Sequence, residues 1–243
     1  MCSAYDSGAM SALPLVCDDS RVTPPGESHI GESRWPPAAA LVLFMAVNIA
    51  LRVWLPQEKF VRVPWLVPIL EALLLVLLVV GAPGNLGRRT AWVRRIAMTL
   101  VLLFVAGALW STSLLVYDLV KGTGVSNSPN QLLATGAVVW LGNNLAFALL
   151  YWLTDGGGPV ARSHDPTPVD FAFPQQLSPE VRPPGWRPLF LDYLYLGFTN
   201  ATAFSPTDAM PLTHRAKFAM VVQASVSIAL FALILARAVN AFT

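Results

Sequence analysis

The stretch DYLYLGFTNATAFSPTD occupies residues 192–208, between a proline-rich segment and the last long apolar run of the chain. It contains two carboxylates, one amide and four Ser or Thr hydroxyls among otherwise largely apolar residues. Polar groups inside a lipid bilayer are costly unless they contact protein or water. The fold therefore depends on whether this stretch crosses a membrane or enters it and turns back.

The composition of the 243 residues indicates a membrane protein. Hydrophobic residues make up 55% of the chain and charged residues 12%, whereas soluble domains carry about 25% charged residues. The net charge of +2 is too small to indicate nucleic acid as a partner. The only cysteines, Cys2 and Cys17, lie outside every apolar run, which supports neither a disulfide framework nor a cysteine metal site. We expect an all-α, multi-pass membrane protein, with the lipid bilayer as its partner.

Five stretches have about the 20 mostly apolar residues that a spanning helix needs. They are residues 36–55, 64–82, 93–120, 131–154 and 216–242. Residues 155–188 contain eight prolines in 34 residues, which predicts a non-helical loop outside the membrane. The chain then divides into a disordered tail (1–35), a four-helix transmembrane region (36–154), the loop (155–188), and a final region with the polar stretch and the last helix (189–243).

The charges of the loops indicate an orientation. Residues 84–95, GNLGRRTAWVRR, carry four arginines and no acid, which places this loop and the N-terminus in the cytoplasm. If five segments cross, the C-terminus lies outside. If residues 189–206 also cross, it lies inside.

The length of the polar stretch favours entry and return. Residues 189–204 would form a helix of about 24 Å, shorter than a hydrocarbon core of about 30 Å, and Pro206 ends it. Asp192 is placed to cap this helix, and Thr213 or Asp208 to cap the next one; Asp208 is also placed to pair with Arg215. We expect a re-entrant half-helix whose candidate polar centre comprises Thr199, Asn200, Thr202, Ser205 and Asp208.

Four further polar side chains fall inside predicted spans: Glu71, Asn143, Asn144 and Gln223. One interpretation is a shared polar cluster around Glu71 that forms a path for ions or protons. The alternative is that the amides form hydrogen bonds between helices, worth about 0.6 kcal/mol each.

The second half of the chain resembles a known family. The motifs NNLAFALLYW, VDFAFP, DYLYLGFT, FSPTD and ILARAVN follow one another between residues 143 and 240. In this order and spacing they resemble the bacterial membrane family called domain of unknown function 1345. The positions that match the family's pattern include Asp192, Tyr193, Tyr195, Phe198, Thr199, Phe204, Asp208 and Asn240, whereas Asn200, Ala201, Pro206 and Thr207 depart from it. The family has no established activity, so the resemblance implies a membrane fold only.

A looser likeness is to pore-loop cation channels, where a helix, a polar re-entrant segment and an inner helix follow one another. Asp208 falls where such channels carry an acid, but the glycines whose carbonyls would line a potassium filter are absent.

These features leave two main hypotheses for the function. The first is a channel-like or transport-associated protein, pore-loop-like and compatible with a homo-oligomer, that passes a cation or proton. The second is a non-conducting scaffold or accessory subunit in which the same polar groups satisfy one another. An intramembrane enzyme is a third, weaker hypothesis, because no spanning run holds a histidine to activate a nucleophile. The sequence indicates no cofactor and no bound metal.

Overall fold

The computed structural model describes residues 32–54, 66–80, 88–121, 129–164, 168–178, 180, 182–202 and 209–242. Eight helices cover most of these residues: α1 Trp35–Trp54, α2 Leu66–Val80, α3 Arg88–Lys121, α4 Pro129–Thr154, α5 Pro159–His164, α6 Pro174–Leu177, α7 Phe190–Thr202 and α8 His214–Phe242. Two short strands, β1 Phe171–Ala172 and β2 Met210–Pro211, complete the described elements. The predicted all-α class is therefore confirmed. Most of the predicted tail and, in the candidate centre, Ser205 and Asp208 lie outside the described residues.

Three of the described helices are long and apolar enough to cross a membrane, judged by length and composition. They are Trp92–Lys121, Leu132–Gly157 and His214–Ala236. The shorter apolar helices Trp35–Ala50 and Pro68–Leu78 correspond to the first two predicted spans.

Helix α4 is the centre of the bundle, in contact with α1, α3, α7 and α8. Residues 142–149 are buried all round the helix, as expected when apolar residues occur on every face of a helix. The main core cluster surrounds this region and includes Leu41, Phe104, Phe147 and Leu196. A second cluster, made of Leu115, Leu119, Leu132, Leu230 and Ile234, lies towards the start of α4 and the end of α8.

Helix α4 ends in the sequence TDGGG. Residues 155–157 form one turn of 3-10 helix, and Gly156, Gly157 and Gly158 have φ values of 53°, 78° and 95°. These φ values are costly for residues with a Cβ atom. The glycines therefore redirect the chain from α4 into the loop while Asp155 stays buried.

The prediction that residues 155–188 form no helix was wrong in part. This loop contains the short helices α5 and α6, which begin at Pro159 and Pro174, because a proline in the first turn needs no N–H partner. Strand β1 pairs antiparallel with β2, so that Phe171 lies opposite Pro211. The loop is thereby joined to the segment that precedes α8.

Helix α7 begins at the end of α4, and strand β2 lies at the same end. Phe190 packs edge-on against Trp152 near the end of α4, with ring centroids 5.9 Å apart. Further along, Phe198 contacts Trp140, so α7 runs antiparallel to α4. Strand β2 then pairs with β1 beside Asp155. The start of α7 and strand β2 therefore lie at the same end of the bundle.

Candidate functional site

A buried hydrogen-bond network joins α4, α7 and α8; we call it the Gln223 network. Tyr151 donates its hydroxyl proton to Gln223 Oε1 at 2.7 Å, and Asn200 Nδ2 donates to the same oxygen at 2.8 Å. Gln223 Nε2 donates to the Gly197 carbonyl at 2.9 Å. Asn200 Nδ2 also reaches the Met220 carbonyl at 3.0 Å. The predicted residues Asn200 and Gln223 are therefore in direct contact, although the sequence did not pair them.

The other described members of the predicted polar centre bond to their own helix. Thr199 donates to the carbonyls of Tyr195 and Leu196, and Thr202 donates to the Thr199 carbonyl at 3.0 Å. Such bonds to preceding carbonyls satisfy a hydroxyl within an apolar environment. These two hydroxyl protons are therefore directed back to the helix.

The two adjacent asparagines of α4 serve different interfaces. Asn143 Nδ2 donates to Thr112 Oγ1 on α3 at 2.6 Å. Asn144 faces α7: a Cβ atom added to Gly197 would lie 2.6 Å from Asn144 Oδ1. Glycine at 197 is therefore what lets α7 approach α4 at this level.

Three buried side-chain oxygens in this region have no hydrogen-bond donor among the described residues. They are Asn143 Oδ1, Asn144 Oδ1 and Ser227 Oγ. Ser227 is fully buried, and the two asparagines are 1% and 5% exposed. A buried polar atom without a partner costs free energy and calls for an explanation, such as a bound ion or water.

Glu71 is also fully buried. It lies on α2, which packs against α1 and α3, whereas Gln223 lies on α8. The recorded hydrogen bonds of Asn143 and Gln223 go to Thr112, Tyr151, Asn200 and Gly197 instead. A shared cluster around Glu71 stays a prediction.

A second polar cluster, which the sequence did not single out, lies where α4 ends; we call it the two-aspartate cluster. Asp155 is fully buried and Asp170 is 1% exposed. Asp155 Oδ1 accepts from the N–H groups of Asp170 at 2.6 Å and Phe171 at 3.2 Å. Asp155 Oδ2 accepts from the Tyr193 hydroxyl at 2.5 Å. Asp155 thus links the end of α4 to the loop and to the start of α7.

Asp170 in turn links the loop to α8. Arg215 donates to both of its oxygens, from Nε at 2.8 Å and from Nη2 at 2.6 Å. Thr213 donates to Oδ1 at 2.6 Å and accepts from the Ala216 N–H, which caps α8 as predicted. Arg215 therefore pairs with Asp170, which the sequence did not single out, whereas the predicted pairing with Asp208 lies outside the described residues. Asp192 accepts from the Leu189 N–H at 2.7 Å and so satisfies the start of α7, again as predicted.

Arg162 and Glu32 fix the N-terminus of α1 to the same place. Arg162 donates to the carbonyls of Trp152 and Asp155 and pairs with Glu32 at 3.1 Å. Glu32 also accepts from Trp152 Nε1 at 2.6 Å. Burial raises the pKa of the Tyr193 phenol well above its ordinary value, so this hydroxyl remains protonated and keeps its role as a donor.

Basic residues gather at this end of the bundle, which we call the basic end. Arg162 and Arg215 belong to it through the contacts above, and Arg94 lies beside Gly157, since an added Cβ atom there would be 3.7 Å from Arg94 Nη2. Lys121 ends α3 at the far end. The distribution of charge therefore distinguishes the two ends.

The described residues contain no group of three or more His, Cys, Asp or Glu side chains that could hold a metal ion. Comparisons with family models, curated proteins and solved structures find no match to this chain. The resemblance to domain of unknown function 1345 and the likeness to pore-loop channels therefore stay predictions. The site must be interpreted from its own chemistry.

The sequence signals for the missed cluster are local. Asp155 directly precedes three glycines at the end of a long apolar run, and Asp170 sits between two apolar residues of a polar loop. A carboxylate beside a glycine turn and one inside an apolar stretch both indicate burial with partners. The two aspartates come together only because the loop packs against the end of α4. The spacing of residues along the chain does not predict this contact.

Proposed function

We propose that this chain is a channel-like or transport-associated protein of a bacterial inner membrane, with α7 as a re-entrant half-helix among five spanning helices. The spans in this proposal are α1, α2, α3, α4 and α8. The observation that carries it is that α7 begins at the basic end and that β2, which follows α7 in the chain, pairs with β1 at the same end. Asn200 reaches Gln223, which lies nine residues into α8, or about 13 Å along its axis. That is about half of a hydrocarbon core of about 30 Å.

The orientation follows from charge. Helices α1, α3 and α8 begin at the basic end, and α4 ends there. Basic residues are enriched on the cytoplasmic side of inner-membrane proteins. We therefore place the basic end in the cytoplasm and, with five crossings, the C-terminus outside.

The functional centre in this proposal is the inner end of α7. The hydroxyls of Thr199 and Thr202 donate their protons to carbonyls of their own helix, and each oxygen keeps lone pairs for an ion. The buried oxygens of Asn144 and Ser227 lack protein donors among the described residues. Asn144 Oδ1 lies beside Gly197 of α7, and Ser227 follows Gln223 by four residues on α8. In this proposal they join Thr199, Asn200 and Thr202 as groups available to an ion.

Ion flux into liposomes tests this function. Purified protein would be reconstituted with a sodium- or proton-sensitive dye inside the vesicles, and flux would be started by a salt or pH gradient. We expect flux in the wild type and a reduced rate in Ser227→Ala. Ser225→Ala is the matched control, because Ser225 lies on the same helix but is exposed.

A non-conducting scaffold or accessory subunit is the second candidate. The observation in its favour is that Gln223, Asn200, Thr199 and Thr202 form hydrogen bonds within the protein. Absence of flux in the wild type, with both serine variants folded normally, would favour this role and exclude conduction by the isolated chain.

A further inference from the structure

The start of α3 carries exposed basic and aromatic side chains at the basic end. Trp92 is 62% exposed, and Arg94 and Arg95 are both exposed. The guanidinium carbon of Arg95 lies 5.5 Å from the centre of the Trp92 ring, within the range of a cation–π interaction. The indole ring therefore positions the Arg95 guanidinium at the surface of the bundle.

Arg94 adds a second positive charge from the next position on the helix. A Cβ atom added to Gly157 would lie 3.7 Å from Arg94 Nη2 and 3.8 Å from Arg94 Nη1, so this guanidinium lies beside the turn that ends α4. Consecutive Cα atoms are only about 3.8 Å apart. Two guanidinium groups therefore extend from neighbouring backbone positions at the level where α4 ends.

The acids at this end are already engaged within the protein. Glu32, Asp155 and Asp170 each accept hydrogen bonds from the loop or from a side chain described above. Within the part of the chain that the structure describes, neither Arg94 nor Arg95 forms an ion pair with an acid. Their positive charges are therefore not balanced by a neighbouring carboxylate, which favours a negatively charged partner.

The length of α3 places these charges at the membrane surface. The apolar helix Trp92–Lys121 has 30 residues, which corresponds to about 45 Å. That is about the thickness of a bilayer with its headgroup regions included. When α3 spans the membrane as proposed, its first turns therefore lie among the lipid headgroups, where tryptophan is enriched.

An exposed apolar strip continues from Trp92 along α3. Ile96 and Leu103 are each 48% exposed, and the spacing of positions 92, 96, 99 and 103 puts them on one face of the helix. This strip runs from the headgroup level towards the middle of the membrane. Charge and apolar surface together fit a lipid better than they fit a soluble anion.

We propose that Trp92, Arg94 and Arg95 form a binding site for the headgroup of an anionic phospholipid, whose acyl chain lies along the strip. A guanidinium group binds a phosphate through two parallel hydrogen bonds, and basic residues at a membrane surface attract anionic lipids. The inference goes beyond the proposed function, since it requires the membrane location but not conduction.

Lipid-dependent stability and direct counting of bound lipid test this site. The melting temperature of the protein, purified in a neutral detergent, would be measured with increasing phosphatidylglycerol in mixed micelles. Phosphatidylcholine, which has no net charge, provides the comparison. We expect a saturable rise with phosphatidylglycerol only, because a ligand that binds only the folded state stabilises it. Native mass spectrometry of the same samples counts the lipids bound.

Arg95→Ala should weaken the apparent affinity for phosphatidylglycerol roughly fivefold, the factor expected for one basic residue at a membrane surface. Arg95→Lys keeps the charge but loses the planar fork, so it should recover only part of the affinity. Trp92→Ala removes the ring beside the guanidinium and should weaken binding in the same direction. Lys217→Ala is the matched control, because it removes an exposed positive charge near the start of α8 at the same end, and it should leave the affinity unchanged. These side chains are exposed, so we expect all four variants to fold.

Equal melting temperatures with the two lipids would overturn the proposal. Equal losses of affinity in Arg95→Ala and Lys217→Ala would also overturn it, since they would indicate general attraction to negative lipid rather than a site. If inorganic phosphate raised the melting temperature as much as phosphatidylglycerol does, the lipid assignment would be wrong and the site would belong to a soluble anion. These measurements are independent of transport. Saturable lipid binding without ion flux in liposomes would support this site and exclude the proposed conduction.

Discussion

At the scale of single residues, Asp155 is the most constrained side chain of the basic end. It is fully buried, and its two oxygens accept from two backbone N–H groups and from the Tyr193 hydroxyl. Arg162 approaches its carbonyl oxygen rather than its carboxylate. The carboxylate is therefore stabilised by dipolar donors, and each donor matters because water does not replace it readily.

Replacement of Tyr193 by Phe removes one of these donors and little volume. We expect Tyr193→Phe to lower the free energy of unfolding by about 1–3 kcal/mol, the cost of an unsatisfied buried polar group. Tyr195→Phe is the matched control, since Tyr195 is on the same helix but 56% exposed. Thermal unfolding in detergent measures both. Equal effects of the two variants would show that the bond to Asp155 contributes nothing specific.

Gly197 is a second residue whose role depends on close approach. A Cβ atom there would lie 2.6 Å from Asn144 Oδ1 and 3.4 Å from the Asn144 carbonyl oxygen, so Gly197→Ala must move α7 or the asparagine. We expect a loss of about 1–3 kcal/mol of stability, as for other overpacked sites. The double variant with Asn144→Ala removes the closest atom and should recover part of the loss. No recovery in this double-mutant cycle would mean that the backbone contact dominates.

At the scale of elements, α7 is fixed at its start and again further along the helix. Its start is held by the bond from Tyr193 to Asp155 and by the Asp192 cap, and its inner half by Asn200 and Gly197 at Gln223. A helix of 13 residues is marginal on its own. Its stability therefore comes from α4 and α8 rather than from its own propensity.

The start of α8 is fixed through Asp170, which gives a test of the loop's contribution. Arg215→Ala removes both bonds to a buried carboxylate, while Thr213 still donates one. Because the Arg215 side chain is 66% exposed, water replaces part of the loss, and we expect destabilisation of about 1 kcal/mol.

Lys217→Ala serves as the control for Arg215→Ala, since it removes the same charge from an exposed position two residues away. Thermal unfolding at low and high salt would separate the local bonds from general electrostatics. A difference between the variants that disappears in high salt would contradict a specific role for the Asp170 pair.

The elements were largely predictable, but their contacts were not. Apolar runs of the right length predicted helices corresponding to α1, α2, α3, α4 and α8, and the short polar stretch ended by Pro206 predicted a helix close to α7. Caps at Asp192 and Thr213 followed from local chemistry. The bond of Tyr151 to Gln223 joins residues 72 apart, and one sequence contains no signal for such a pairing. The packing of the loop against the bundle was not predicted for the same reason. Its prolines indicated only that a long helix could not form there.

At the scale of the whole molecule, the expected membrane topology depends on two features: the difference in charge between the two ends of the bundle, and the start of α7 at the basic end. With the basic end in the cytoplasm, α8 leaves it once and the C-terminus lies on the opposite side. If α7 instead completed a crossing, α8 would have to begin on the far side, and the contacts of Arg215 with Asp170 and of β2 with β1 would be broken. A measurement of which side of the membrane these residues lie on therefore tests both the fold and the orientation.

Cysteine accessibility in intact cells measures this topology. Single cysteines at Arg187 in the loop, at Lys121 and at Thr243 would be introduced after Cys2 and Cys17 are replaced by Ser, and exposed to a membrane-impermeant thiol reagent. We expect labelling at positions 121 and 243 in intact cells, and at position 187 only after permeabilisation, because the positive-inside arrangement places the loop in the cytoplasm.

A cysteine at Asn200 should react slowly from either side, since that side chain bonds to Gln223 within the bundle. Labelling of positions 187 and 243 from the same side would require an even number of crossings. Such a result would remove the re-entrant half-helix and, with it, the proposed channel-like function.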